Sequence, residues 1–174
     1  MKFIAKINIV SEKVERASLT AIIIFMSVLL IINSIARKVG TLIYFVDETA
    51  MFLMILLTFI GMPHAARKGQ HIAMSAILDL VPPKVKKIMI FVISIIGAIV
   101  MFYMAYISTS YVYKVYYFKQ LLTTLQIPYW IILVIVPIGF FMTGVNFSRT
   151  IIKNIKEKEE IWVSAEQKEF DYTE

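Results

Sequence analysis

The chain contains no cysteine, only two histidines, and only 17% charged residues among its 174. The absence of cysteine excludes a disulfide framework, thiolate chemistry and cysteine-ligated clusters. Soluble domains usually carry about 25% charged residues. This chain is instead 59% hydrophobic with a mean hydropathy of +0.77, which indicates an integral membrane protein.

Four apolar segments are long enough to cross a hydrocarbon core, which takes roughly 20 residues of helix. The first segment exceeds the 7–15 apolar residues typical of a cleaved signal peptide, so we expect it to be a retained anchor. The third is long enough to tilt or to project beyond the bilayer, and Pro137 is expected to kink the fourth. The predicted fold is therefore all-α and integral to the membrane, with four transmembrane helices over Ala17–Ala36, Thr49–Ala66, Ile88–Tyr113 and Tyr129–Phe147.

The basic residues are divided unequally between the two predicted sides. Thirteen lie in the N-terminal segment, the loop between spans two and three, and the start of the tail, whereas four (Arg37, Lys38, Lys114 and Lys119) lie in the other two loops. Loops rich in Lys and Arg stay cytoplasmic, so we expect both termini and the central loop inside. These orientation signals also explain the net charge of +6, so the charge does not indicate a nucleic-acid partner.

Amphipathic segments flank this membrane domain. Residues 1–16 are predicted to form a cytoplasmic interfacial helix, residues 17–149 the four-span domain, and residues 150–174 a charged cytoplasmic tail. A second interfacial helix is expected after His71, because Ile72, Ala76 and Leu80 share one helical face. We interpret this segment as a connector on the inner leaflet, in contact with membrane lipids. Its characteristic residues are Arg67, Gly69, His71, Asp79 and Pro82.

The two histidines do not form a metal site in this interpretation. On a continuous helix, His64 and His71 would lie about 10 Å apart along the axis, too far for one ion with ligand bonds of roughly 2 Å. A haem would need two histidines facing each other from different helices. We therefore expect no cofactor.

Two further groups of residues are candidate partner contacts. Ser94, Gly97, Ala98 and Ala105 form a face of small residues on span three, which would let another helix approach closely; Gly97 is the candidate contact. The predicted outer loops carry charges that could meet a partner, namely Arg37, Asp47, Glu48, Lys114 and Lys119. Six aromatic residues near the same loops are interpreted as an interfacial belt, with a sugar-binding or quinone-binding patch as the alternative; they are Tyr111, Tyr113, Tyr116, Tyr117, Tyr129 and Trp130.

No predicted span contains an ionisable residue near its middle, and no nucleophile–base or carboxylate pair occupies a plausible site. A carrier acting alone would be expected to have such groups. The chain is therefore interpreted as an accessory or scaffold subunit, not an enzyme. The main alternative is a membrane anchor of a respiratory complex that binds haem or quinone, and a stand-alone channel is a third hypothesis.

Short motifs follow one another in a definite order between Asn33 and Arg149. They are Asn33 and Arg37 at the end of span one, Asp47-Glu48 before span two, Phe59-Ile60-Gly61 within it, Arg67 to Ile72 and Leu78 to Pro82 in the connector, Ile127-Pro128-Tyr129-Trp130 before span four, and Pro137-Ile138-Gly139 within it. This ordered set resembles the small membrane subunit of tripartite ATP-independent periplasmic (TRAP) transporters.

The resemblance implies two protein partners in the bacterial inner membrane and periplasm. One is a large membrane subunit that carries the substrate and sodium sites, and the other is a periplasmic substrate-binding protein. The small subunit would brace the large one during sodium-driven uptake of carboxylates such as sialic acid or C4-dicarboxylates.

Overall fold

The computed structural model describes the backbone of residues 2–41, 43–67 and 82–156, and the side chains of residues 15–41, 43–66, 82 and 85–156. Within these ranges most residues lie in helices. The helices are α1 (Lys2–Lys38), α2 (Tyr44–Arg67), α3 (Pro83–Tyr117), α4 (Tyr129–Leu133) and α5 (Ile135–Lys156).

Four stretches of the described chain are long and apolar enough to cross a membrane: Glu15–Lys38, Tyr44–Ala66, Val85–Tyr117 and Tyr129–Lys156. The prediction of an all-α membrane protein with four spans is therefore confirmed. The third stretch has 33 residues, or roughly 50 Å of helix at 1.5 Å per residue. It exceeds the roughly 30 Å hydrocarbon core, as expected from the sequence.

Helix α1 is continuous because no glycine or proline interrupts it between Lys2 and Lys38. It ends where Gly40 adopts a left-handed φ of 81°. The Gly40 N–H donates to the Arg37 carbonyl and the Thr41 N–H to the Ala36 carbonyl, the two bonds of a Schellman motif. Residues 2–16 thus belong to the same helix as the first span, and their placement in the membrane interface stays a prediction.

A break in the fourth span separates α4 from α5 at Val134. Pro137 explains it, since proline has no N–H to donate to the carbonyl of Leu133, four residues earlier, and its ring crowds that carbonyl. The structure therefore interrupts the fourth span one turn before Pro137, where the sequence led us to expect a kink. Helix α2, in contrast, continues through Pro63 to Arg67.

The chain divides into two compact units. Unit one comprises Met1–Gly61 and Thr109–Val136, and unit two comprises Met62–Ser108 and Pro137–Glu174. In unit one, Val46 and Val115 are among the most buried apolar residues. Helices α1 and α2 contact each other at Gly61, where an added Cβ would lie 3.6 Å from Cδ2 of Leu19.

Unit two is built around a reciprocal contact between α3 and α5. Gly97 on α3 faces the ring of Phe147 on α5, and Gly144 on α5 faces the ring of Phe102 on α3; an added Cβ would lie 3.2 Å and 3.1 Å from the nearest ring carbons. Each glycine therefore provides the space that the other helix's phenylalanine fills. The ring of Phe102 also meets Phe141 edge-on, with centroids 5.8 Å apart.

The predicted connector and tail are only partly described. Residues 68–81, which include most of the connector, and residues 157–174 of the tail lie outside the described residues. The beginning of the predicted tail, up to Lys156, continues helix α5. The interfacial helix after His71 stays a prediction.

Candidate partner-contact site

Helices α1 and α2 are joined by an ion pair at their connected ends in unit one. Arg37 lies in the last turn of α1 and Asp47 in the first turn of α2. Arg37 Nη2 donates to both carboxylate oxygens of Asp47, at 2.9 Å and 3.1 Å. Because the two side chains are 53% and 61% exposed, we expect this pair to contribute only about 0–1 kcal/mol to stability.

Asn33 connects this surface pair to the interior of unit one. It lies one turn before Arg37, is buried, and donates from Nδ2 to Asp47 Oδ1 at 3.3 Å. Asp47 thus accepts hydrogen bonds from two side chains of α1. Its negative charge also lies where the N-terminal dipole of α2 favours it. Asn33, Arg37 and Asp47 belong to the sequence motifs above, and the structure brings all three together.

Glu48, the neighbour of Asp47, contacts the loop that precedes α4. Its two carboxylate oxygens accept hydrogen bonds from the backbone N–H groups of Thr124 and Leu125, at 2.8 Å and 2.9 Å. Hydrogen bonds to a charged acceptor are stronger than those between neutral groups. Glu48 therefore fixes a loop 76 residues away in sequence, a role that the sequence did not suggest.

This loop is also ordered by its own backbone. The Leu122 N–H donates to the Ile127 carbonyl, and the Tyr129 N–H donates to the Gln120 carbonyl, both at 3.0 Å. A bridge between Leu121 and Pro128 lies between these bonds. The loop thus folds back on itself and presents its tip to the Glu48 carboxylate.

The two lysines expected at a partner contact are exposed in unit one. Lys114 lies in the last turn of α3. Lys119 ends that helix with a left-handed φ of 48°, and the Lys119 and Gln120 N–H groups bond to the carbonyls of Tyr116 and Val115. This Schellman motif carries lysine where glycine is usual.

The aromatic residues of the predicted belt lie beside these lysines. Tyr111, Tyr113, Tyr116 and Tyr117 are all more than half exposed. Tyr116 meets Trp130 edge-on, with ring centroids 5.5 Å apart. Their exposure in this part of the chain suits an interfacial belt.

A buried polar stripe on α5 in unit two is a feature that the sequence analysis missed. Asn146 Nδ2 donates to the Pro63 carbonyl at 3.1 Å and so ties α5 to α2. Other members bond along α5 itself, including Thr150 to the Asn146 carbonyl and Asn154 to the Thr150 carbonyl. The signal in the sequence was the spacing of three or four residues between polar side chains in an otherwise apolar span. The four residues, all buried in the structure, are Thr143, Asn146, Thr150 and Asn154.

The remaining predicted site residues lie in other parts of the chain than Arg37, Asp47 and Glu48. Gly97 faces Phe147 of its own chain, so its role as a partner contact stays a prediction. Arg67 ends α2, and the Pro82 carbonyl accepts hydrogen bonds from Val85 and Lys86 at the start of α3. Gly69, His71 and Asp79 lie outside the described residues.

Comparison with known proteins identifies the family. Residues 26–157 match the family described as tripartite ATP-independent periplasmic transporters, DctQ component. The chain belongs to this family. It is also 38% identical over 149 residues to the ectoine TRAP transporter small permease protein TeaB of Halomonas elongata, an alignment that covers 82% of this chain and 77% of that protein.

The protein is therefore a small permease subunit of a TRAP transporter. Such subunits are transporter components and not enzymes, and they act with a large membrane subunit and a substrate-binding protein. Family membership and the four apolar helices make it a multi-pass inner-membrane protein. These findings favour the transporter subunit over the respiratory anchor.

Proposed function

We propose that this small permease subunit is a non-catalytic brace for the large membrane subunit during sodium-driven uptake of a carboxylate. The supporting observation is that each unit is held together by specific contacts of its own. Unit one has the Glu48 contact with its loop, and unit two has the Gly97–Phe147 contact. Closely packed helices resist deformation, which suits a scaffold beside a moving partner.

The substrate class is proposed to be a small organic anion or zwitterion that carries a carboxylate. The resemblance to the family suggested sialic acid or C4-dicarboxylates, and the name of the relative in Halomonas elongata specifies ectoine for that protein. All three solutes carry a carboxylate. We infer that the substrate and sodium sites lie in the large subunit.

The brace function can be tested by reconstitution. The large subunit would be placed in proteoliposomes with and without this chain, with the binding protein and radiolabelled ectoine, sialic acid or succinate outside. We expect uptake of one solute that requires both this chain and an inward sodium gradient. Equal uptake without this chain would contradict the brace, whereas uptake that persists without sodium would contradict only the driving ion.

The topology with both termini in the cytoplasm is also part of the proposal, with the connector around Gly69 and His71 on the inner leaflet. The natural absence of cysteine allows single cysteines to report sidedness. Val39 is a suitable outer position because it is 77% exposed and follows α1, whereas Gly40 has a positive φ that a substitution would strain. An impermeant maleimide added outside should label Val39→Cys and leave Ser75→Cys unmodified; the reverse would contradict the topology.

We further propose that the exposed charges of unit one meet the binding protein. Lys114 is a better probe than Glu48, because replacing Glu48 would disturb the loop that it holds. Lys114→Glu should slow uptake at low binding-protein concentration and recover with excess, since such charges mainly set the encounter rate. Lys114→Arg, which keeps the charge, is the control. Unchanged uptake in Lys114→Glu would remove this residue from the docking surface.

A further inference from the structure

One face of α3 in unit two is exposed in the part of the chain that the structure describes. Five of its residues recur at alternating spacings of four and three, which places them in one stripe along a helix. Their exposed fractions lie between 46% and 72%. The residues of the stripe, named the Tyr103 ridge below, are Val92, Ile96, Ile99, Tyr103 and Tyr106.

The opposite face of the same helix is the one that packs within unit two. Ile90 and Ser94 there are fully buried, and Ala98 and Ala105 are 7% and 8% exposed. The Tyr103 ridge is thus the outward face of α3. In the membrane it meets either lipid or another protein.

The depth of Tyr103 decides between these two environments. Along the helix, Tyr103 is roughly 22 Å from Ile88, at the inner end of the span, and roughly 16 Å from Lys114, near the other end. The hydrocarbon core is about 30 Å thick. Tyr103 therefore lies inside the core whether Ile88 or Lys114 is placed at the boundary.

The direction of the side chain keeps its hydroxyl at that depth. Side chains on a helix tilt toward the N-terminus of the helix, so the Tyr103 ring points away from Lys114, the nearer end. It cannot extend along the helix to the nearer headgroups, as an interfacial tyrosine does. A phenolic hydroxyl exposed to hydrocarbon loses the hydrogen bonds that it makes in water. Ile96 and Ile99 have no such requirement.

We propose that the Tyr103 ridge is the surface on which the large membrane subunit packs, and that this subunit supplies a hydrogen-bond partner to the Tyr103 hydroxyl. The isoleucines beside it would provide apolar contact. The large subunit fits because it is the membrane-embedded partner of the family, whereas a soluble binding protein does not reach this depth. This inference deepens the proposed function and rests on it.

Photo-crosslinking in the complete transporter tests which molecule covers the ridge. p-Benzoylphenylalanine would replace Ile99 in the ridge or, as a comparison, Ile138 on α5, which is 51% exposed. We expect a strong adduct with the large subunit from position 99 and a weaker one from position 138. Equal yields, an adduct with a second copy of this chain, or no protein adduct from position 99 in an assembled complex would each overturn the proposal.

Removal of one hydroxyl tests the hydrogen bond. Tyr103→Phe should reduce retention of the large subunit during purification by about fivefold, as expected for one hydrogen bond lost in an interface. Tyr117→Phe is the matched control, because Tyr117 is 71% exposed at the end of α3 and we expect it to stay hydrated. Equal retention in the two variants would overturn the role of Tyr103. Failure of the wild-type chain to retain the large subunit would instead overturn the proposed function.

Discussion

Replacement of Gly97 by leucine should force α3 and α5 apart within unit two. An alanine Cβ at this position would already lie 3.2 Å from Cε1 and Cζ of Phe147, whereas carbon atoms in ordinary contact are about 3.5–4.0 Å apart. Leucine adds three more carbon atoms in the same direction. We expect Gly97→Leu to cost about 3 kcal/mol of the free energy of unfolding, the upper part of the range for overpacking. Gly97→Ala should cost far less, because the higher helix propensity of alanine offsets its smaller clash.

A second substitution separates this clash from a general effect on the helix. Phe147 is 8% exposed, so Phe147→Ala should cost about 3–5 kcal/mol by leaving a cavity. In the double variant, the leucine side chain introduced at position 97 would occupy part of that cavity. The combined cost should therefore be smaller than the sum of the single costs by about 2 kcal/mol, a coupling typical of residues in contact.

Equilibrium unfolding in mixed micelles with a denaturing detergent, followed by tryptophan fluorescence, would measure these costs. Ile96→Leu is the control, because it conserves volume at an exposed neighbouring position. Strictly additive costs, or a Gly97→Leu variant as stable as wild type, would refute the packing argument.

The same variants test whether Gly97 also contacts a partner. If Gly97→Leu fails to retain the large subunit and the double variant with Phe147→Ala regains it, the loss came from packing within this chain. If the double variant is stable but still fails to retain the large subunit, Gly97 itself belongs to the partner contact.

Three further predictions concern unit one. Gly40→Ala should lower the free energy of unfolding by about 1 kcal/mol, because the φ of 81° at this position is left-handed. Gly40→Asn should lower it by less. Nothing lies within 4 Å of an added Cβ, so equal losses of stability in the two variants would contradict a backbone origin. Lys119→Gly should raise the free energy of unfolding by about 0.5 kcal/mol, because glycine relieves the φ of 48° at some entropic cost; a loss of stability would show that the lysine side chain matters more. A double-mutant cycle with Arg37→Gln and Asp47→Asn should give a coupling free energy of about 0.2–1 kcal/mol that decreases as salt is added. A coupling above about 2 kcal/mol that does not change with salt would show that the pair is not the weak, solvent-exposed ion pair described above.

The contacts that hold the candidate site together could not be predicted from the sequence. Asp47 and Glu48 are neighbours in one motif, yet Asp47 pairs with Arg37 ten residues earlier and Glu48 holds a loop 76 residues later. Successive residues at a helix start project about 100° apart, so the two carboxylates face different parts of the fold. A sequence motif does not indicate which part each will meet.

The four spans and two helix ends, in contrast, were determined by the sequence alone. Hydrophobic length and composition are properties of a continuous segment, so the bilayer selects the same segments whatever their neighbours. Gly40 likewise acts through its own backbone by adopting a positive φ, and Pro137 by lacking an N–H, whereas only the structure shows that α2 continues through Pro63.

Only the tertiary structure decided which side chains meet across helices. Gly97 belonged to a face of small residues that suited contact with any helix, and the structure places Phe147 of the same chain against it. The bond from Asn146 to the Pro63 carbonyl joins residues 83 positions apart. Such pairings depend on which helices become neighbours and at what depth, and an apolar helix of suitable length does not encode its neighbour, because its hydrophobicity is satisfied by lipid and by protein alike.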